Sequence, residues 1–110
     1  MTEKIDNEQD RFSNDHSNDH VVFIGGKPFM NYVTGVVMQF TSQNSDEVTV
    51  KARGRFISRA VDVAEVATKR FLIGQIKIAD NGVKVDSEEF ENKEGNKVRV
   101  STVEIKLVRK

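Results

Sequence analysis

The side chains able to do chemistry cluster in two short segments. Lys51-Ala52-Arg53-Gly54-Arg55 sets three cations within five residues, and Arg59 follows four positions later. Gly25-Gly26-Lys27 places a lysine on glycine-rich backbone ahead of Pro28. Guanidinium groups bind phosphate oxygens in bidentate fashion. Glycine-rich backbone at a helix N-terminus, with a lysine beside it, favours an anion. The second segment lacks the spacing and the terminal Lys-Ser/Thr of a nucleotide-hydrolysing P-loop, and it serves equally as a tight turn feeding a packed helix. An enzyme reading has little else to stand on. The two histidines, His16 and His20, fall in the first twenty residues, and no Ser or Thr has a context suggesting activation.

The charge balance carries the same message. The chain has 110 residues, with 17 Lys and Arg against 17 Asp and Glu. That formal zero is unevenly spread. Residues 1–20 hold six acids against two bases, and residues 80–95 do the same. The remainder is therefore +8. A basic body with two acidic appendages points to a polyanionic partner, whose attraction the appendages temper. The absence of cysteine excludes disulfides, thiolate zinc sites and thiol nucleophiles. No apolar run nears the ~18 residues of a membrane span, and the polar, acidic N-terminus does not read as a signal peptide. The expected setting is a reducing, cytoplasmic one, with no cofactor and no membrane partner.

These residues need a scaffold, and the hydrophobic pattern supplies one. Residues 1–20 read as a disordered acidic tail, because their few apolar residues show no period. Within it Ser-Asn-Asp-His occurs twice in tandem. His16 and His20 would share a helix face and could ligate a metal, but Ser, Asn and Asp disfavour helix there, so a solvated linker is expected. Residues 21–110 form the domain. Val21-Val22-Phe23-Ile24 predicts a strand buried on both faces. Pro28 suits the first turn of a helix carrying Phe29, Met30, Val33, Val36, Val37 and Phe40 at helical spacing. Residues 47–53 alternate, with Val48, Val50 and Ala52 on one face and Lys51 and Arg53 on the other. A second helix spans about 56–72. Its apolar residues, Phe56, Ile57, Ala60, Val61, Val63, Ala64, Val66, Ala67 and Phe71, extend past one face, which predicts a subunit interface.

The last third is β. Asn81-Gly82 makes a tight turn or a bulge between Ile76, Ile78 and Val83, Val85. A polar turn surrounds Gly95. The final strand, about 97–108, changes phase between Val98, Val100 and Val103, Ile105, Leu107, marking a bulge or a strand leaving the core as an arm. The order β-α-β-α-β-β predicts an α+β, two-layer sandwich.

Arg55 and Arg59 would then stand at a helix N-terminus, where cations oppose the macrodipole. A placement against local electrostatics needs another reason. A phosphate ligand is one; a salt bridge to Asp62 or Glu65 is another.

Several segments resemble one known family. Ile24-Gly25-Gly26-Lys27-Pro28, Met30-Asn31-Tyr32-Val33, Lys51-Ala52-Arg53-Gly54-Arg55, Ile57-Ser58-Arg59-Ala60-Val61-Asp62, Arg70-Phe71-Leu72 and Arg99-Val100-Ser101-Thr102-Val103-Glu104-Ile105 look like the Alba family of archaeal chromatin proteins. The resemblance covers about 21–108. It implies an initiation-factor-3 C-terminal-domain-like fold, with a mixed four-stranded sheet and two helices on one face. It also implies homodimers that bind double-stranded DNA and RNA on the chromosome, with projecting hairpins of the third and fourth strands as arms. By the same resemblance Lys27, Arg53 and Arg55 are body contacts, Arg99 is an arm contact, and Phe71 joins dimers on DNA. From their charge and position, Lys51 and Arg59 join the candidate nucleic-acid contacts. The family's usual pair of lysines before the proline is here Gly26-Lys27, leaving Lys27 as the candidate for modification by acetylation. The arm is acidic, unlike the family pattern. A protein-interaction module of the same fold, with weak nucleic-acid binding, is the competing expectation.

Overall fold

The computed structural model describes residues 20–110; residues 1–19 of the expected tail, His16 included, lie outside them. The last residue of that tail, His20, is instead tied to the domain, its Nδ1 lying 2.8 Å from the Ser45 hydroxyl and its carbonyl accepting the Thr49 N–H at 2.9 Å. The element order is β1 (Val21–Phe23), α1 (Phe29–Thr41), β2 (Glu47–Arg53), α2 (Ile57–Val66), β3 (Ile76–Glu91) and β4 (Lys97–Arg109). A 3-10 turn, Gly54–Phe56, leads into α2, and a π turn, Ala67–Phe71, leads out of it. The sheet order is β1-β2-β4-β3. β1 and β2 are parallel, and the other two pairings are antiparallel. This is the α+β order that the pattern predicts, with the mixed four-stranded sheet and β3–β4 hairpin that the family resemblance implies.

Both helices pack on one face of the sheet. Tyr32, Val33, Val36 and Phe40 of α1 and Ala60, Val63 and Ala64 of α2 are buried, as the spacing requires. They meet Val48, Val50 and Ala52 of β2 and Val103, Ile105 and Leu107 of β4. α1 contains no charged residue, and its end is set by polar residues and by Asn44 in the left-handed region, φ 55°.

Three expectations change. β1 is not buried on both faces: it is the sheet's edge, and Val21, Val22 and Phe23 are only half-buried. Its apolar run combines a face turned to the core, Val22 and Ile24, with an open one, where Lys51 Nζ lies 5.8 Å from the centroid of the Phe23 ring. Pro28 stands at the cap of α1 rather than in its first turn, with ψ 142°. α2 is also better covered than its composition implies. Ala60, Val63, Ala64 and Ala67 are fully buried within the domain, and Val61 and Phe71 are its exposed apolar residues. The π turn explains the switch at the end. The Thr68 hydroxyl donates to the Ala64 and Glu65 carbonyls, and the Leu72 N–H reaches the Ala67 carbonyl at 3.0 Å. Leu72 is thereby buried while Phe71 points outward, 49% exposed.

Asn81-Gly82 is a bulge, not a turn. β3 and β4 pair at Ile78↔Leu107 and next at Val83↔Ile105. Five steps on β3 thus oppose two on β4, three residues in excess. An odd excess reverses parity. Ile76 and Ile78 at even positions, and Val83 and Val85 at odd ones, therefore all share the helix-side face. β4 itself is continuous from Lys97 to Ile105, so its change of phase marks a strand leaving the core.

Gly82 is closely confined within this bulge. An added Cβ would lie 2.7 Å from the Ala79 carbonyl oxygen and 3.1 Å from that of Lys106, both backbone atoms. Gly82→Ala is expected to destabilise the domain by about 1–3 kcal/mol. Gly26→Ala, where a Cβ meets nothing within 4 Å, is the control. Urea denaturation midpoints check both; equal midpoints for Gly82→Ala and wild type would show that the bulge yields freely.

Candidate nucleic-acid interface

Parallel strands deliver two loops to one end of the sheet. β1 runs into Gly25–Pro28, and β2 runs into the 3-10 turn at Gly54. The two loops are adjacent because β1 and β2 pair in register, Phe23↔Lys51. The Ile24 N–H continues the ladder to the Lys51 carbonyl at 2.8 Å. Gly54, φ 61°, turns the chain sharply in a conformation glycine adopts without penalty. Lys27 and Arg55 consequently sit on neighbouring loops, with Arg53 beside them at the end of β2, all exposed.

Arg59 joins the loops. From the first turn of α2 its Nη1 donates to the carbonyl oxygens of Gly25 at 2.9 Å and Lys27 at 3.0 Å. Its guanidinium carbon lies 6.0 Å from the centroid of the Tyr32 ring. The Tyr32 hydroxyl in turn accepts the Lys27 N–H at 2.9 Å. The reason sought for a cation at this helix start is therefore neither Asp62 nor Glu65. Glu65 pairs with Lys69 at 2.8 Å, and Arg59 serves the other loop's backbone. Tyr32 was visible beforehand only within Met30-Asn31-Tyr32-Val33, a segment of the family resemblance, with no role assigned to it.

The arm leaves from the same end. β2 stops at Arg53, opposite Thr102, and β3 and β4 continue as five further pairs, Ser87↔Ser101 to Glu91↔Lys97. At about 3.3 Å per residue the paired extension is roughly 17 Å long. Asn92 closes the tip: its side-chain oxygen accepts the N–H groups of Glu94 and Asn96, each at 2.9 Å, and Gly95 takes φ 84°.

Arm and body exchange charge. Arg53 Nη1 lies 3.2 Å from Glu88 Oε1, and Arg99 Nη2 lies 2.7 Å from Glu89 Oε2. Lys51, further down the open sheet face, stands 3.7 Å from Glu104. These pairs are largely solvated, so each holds by roughly 0–1 kcal/mol and yields readily to another anion. Arg55 differs. Its guanidinium lies 4.9 Å from the Phe56 ring centroid, and among the described residues it has no carboxylate partner. The six nominated cations thus divide. Lys27, Arg53 and Arg55 share the corner, Arg99 is on the arm, Lys51 is on the sheet face, and Arg59 is the strut behind. Phe71 lies at the opposite end of α2, about 20 Å away at 1.5 Å per residue. Which carboxylate would meet which cation was not readable beforehand, because it depends on the bulge.

Comparison with known proteins bears on this site. The family model described as Alba matches residues 20–84. A DNA/RNA-binding protein Alba of Nanoarchaeum equitans is 60% identical over 90 residues, covering 81% of this chain and 97% of that one. One of the same name from Methanococcus maripaludis is 46% identical over 89 residues, again covering 81% and 97%. The solved structure of Alba from Thermoplasma volcanium superposes with a TM-score of 0.72 at 40% identity, covering 81% of this chain and 99% of that one.

Replacing the strut tests its importance to the corner. Arg59→Ala removes two charge-assisted bonds to backbone and is expected to lower stability by about 2 kcal/mol. Arg59→Lys should recover only part of that, since a point-like ammonium lacks the planar guanidinium that stacks beside Tyr32. Chemical denaturation checks this; a wild-type midpoint for Arg59→Ala would mean the loops hold without it.

Proposed function

The chain belongs to the Alba family, and from that premise we propose that it is a non-enzymatic chromatin-type protein that binds double-stranded DNA, and RNA, through phosphate contacts as a dimer. One observation carries the reading: Lys27 and Arg55 stand on adjacent loops, with Arg53 at the end of β2 between them and the root of the arm. A duplex lying across this corner would meet the three cations while the arm follows a groove. Phosphate contact at such a corner is sequence-independent and draws on counterion release, so affinity falls steeply with salt. The relatives' names, DNA/RNA-binding protein, support the partner class. Association with the chromosome follows from that partner. Lys27, on an exposed loop, is the lysine whose acetylation would remove a phosphate-facing charge.

Dimerisation has its own support. Ile78, Val83 and Val85 lie on the helix-side face of β3, where neither helix covers them, and Val85 is 72% exposed. Across a shallow groove stand Glu65 of α2 and Thr68 of the π turn, with exposed Val61 one turn before Glu65. A long edge strand with an apolar face calls for a cover, and a second copy of the same face is self-complementary. Phe71 and Ile73, 49% and 67% exposed at the far end of α2, form a separate patch suited to contact between dimers. The protein-interaction reading keeps one supporting observation, the pairing of Arg53 and Arg99 with arm carboxylates.

Sedimentation at micromolar concentration is expected to give twice 12.4 kDa; the monomer mass would remove the dimer. Arg53→Ala with Arg55→Ala should weaken binding to all duplex sequences by a similar factor. It should also reduce the salt slope by about one unit per lost contact, hence about four per dimer. Arg99→Ala should do less. Binding isotherms from low to moderate salt measure this. Equal slopes for wild type and the double variant would transfer the case to the protein-interaction module.

A further inference from the structure

We propose that Glu88 sets the affinity of the phosphate-binding corner, by occupying Arg53 in the free protein until a phosphate displaces it. The inference rests on reading Arg53 as a phosphate contact and goes beyond it, to a competitor held within the chain.

The competition is imposed by strand register. Arg53 faces Thr102 on β4, and Thr102 faces Asp86 on β3. Glu88 is two residues beyond Asp86, hence on the same sheet face, just past the end of β2. Its Oε1 accepts from Arg53 Nη1 at 3.2 Å, across 35 residues of chain. The carboxylate thus holds one of the N–H groups that phosphate oxygens would use, and both ligands are anionic acceptors. The neighbouring Arg55 provides an internal contrast, having no carboxylate partner among the described residues. One arginine of the corner is available at once, while its neighbour must first exchange an anion.

The pair tunes binding rather than blocking it. Side-chain exposures of 66% for Arg53 and 57% for Glu88 place it among solvated ion pairs. Such pairs are broken at a cost equivalent to about a 1.5- to 5-fold change in binding constant. Screening weakens the pair as well, so its influence is greatest at low salt.

The test uses the full chain and a 20-base-pair duplex DNA at low salt. Glu88→Gln keeps shape and removes the carboxylate charge. Glu91→Gln makes the same charge change further along the arm, at a residue without an ion pair among the described residues. Each is combined with Arg53→Ala, and urea midpoints verify folding. Glu88→Gln is expected to bind more tightly than wild type by two- to five-fold for each corner engaged, within the range set by the pair, and Glu91→Gln to gain clearly less. In the Arg53→Ala background the two Gln variants should become equal. If Glu88→Gln gains nothing while Arg53→Ala weakens binding, the phosphate contact stands and the competition is overturned. If the excess gain of Glu88→Gln survives Arg53→Ala, the effect is diffuse charge and the competition is again overturned. If Arg53→Ala has no effect, the underlying reading of Arg53 fails, and this proposal with it.

Discussion

One guanidinium holds the corner together. The loops after β1 and β2 are brought side by side by parallel pairing, but pairing ends at Ile24 and Arg53. Beyond those residues the loop backbones rely on Arg59, which spans to two carbonyls of the opposite loop. Gly25 is buried, so its carbonyl needs a partner from within the protein. A cation at a helix start loses some favourable dipole energy, typically about 0.3–1 kcal/mol. Two charge-assisted bonds to carbonyl oxygens outweigh that loss. Arg59 therefore ties the position of the turn carrying Arg55 to the loop that presents Lys27, whose N–H is also held by Tyr32.

Electrostatics works locally in this protein. The chain is neutral overall, and long-range attraction to a polyanion would be small if charge were evenly mixed. Instead the corner collects cations while the arm carries its own counter-charges, Glu88 and Glu89. Within about one Debye length, roughly 10 Å at moderate salt, a phosphate at Arg55 experiences the corner more than the whole. The open sheet face behind it is balanced by Lys51–Glu104 and Lys106–Glu47, each at 3.7 Å, so the positive surface narrows to the loops.

Much of the architecture was legible in periodicity. Alternation over 47–53 and helical spacing over 29–40 survive unchanged, because each element buries one face and one face only. β1 misled because a short edge strand with Val and Phe reads like a central one; only the sheet order distinguishes them. Lys27, Arg53 and Arg55 were grouped by the family resemblance, while the residues alone marked two separate basic segments beside Gly26 and Gly54. Arg59 was legible as anomalous, yet its partners are backbone carbonyls 32 and 34 residues away, which no side-chain pattern encodes. Val83 and Val85 alternate with polar residues and yet are exposed, since alternation reports which face a residue takes and not whether anything covers it.

The bulge between Ile78 and Val83 acts as a gear between two readings of the same arm. With three surplus residues, Glu88, Phe90, Val98 and Val100 share the open face with Arg53, while Glu89 and Arg99 take the other. With two or four surplus residues, and β4 unmoved, every β3 residue of the arm would change sides. Glu89 would then take the place of a neighbour, and Phe90 would turn away from Val98. A single insertion or deletion in 79–82 is thus equivalent to rewriting one whole strand of the arm at once. Descendants of this chain have a route to a differently charged arm that point substitutions could follow only in many steps, through a segment whose length is the variable and in which Gly82 is the confined position.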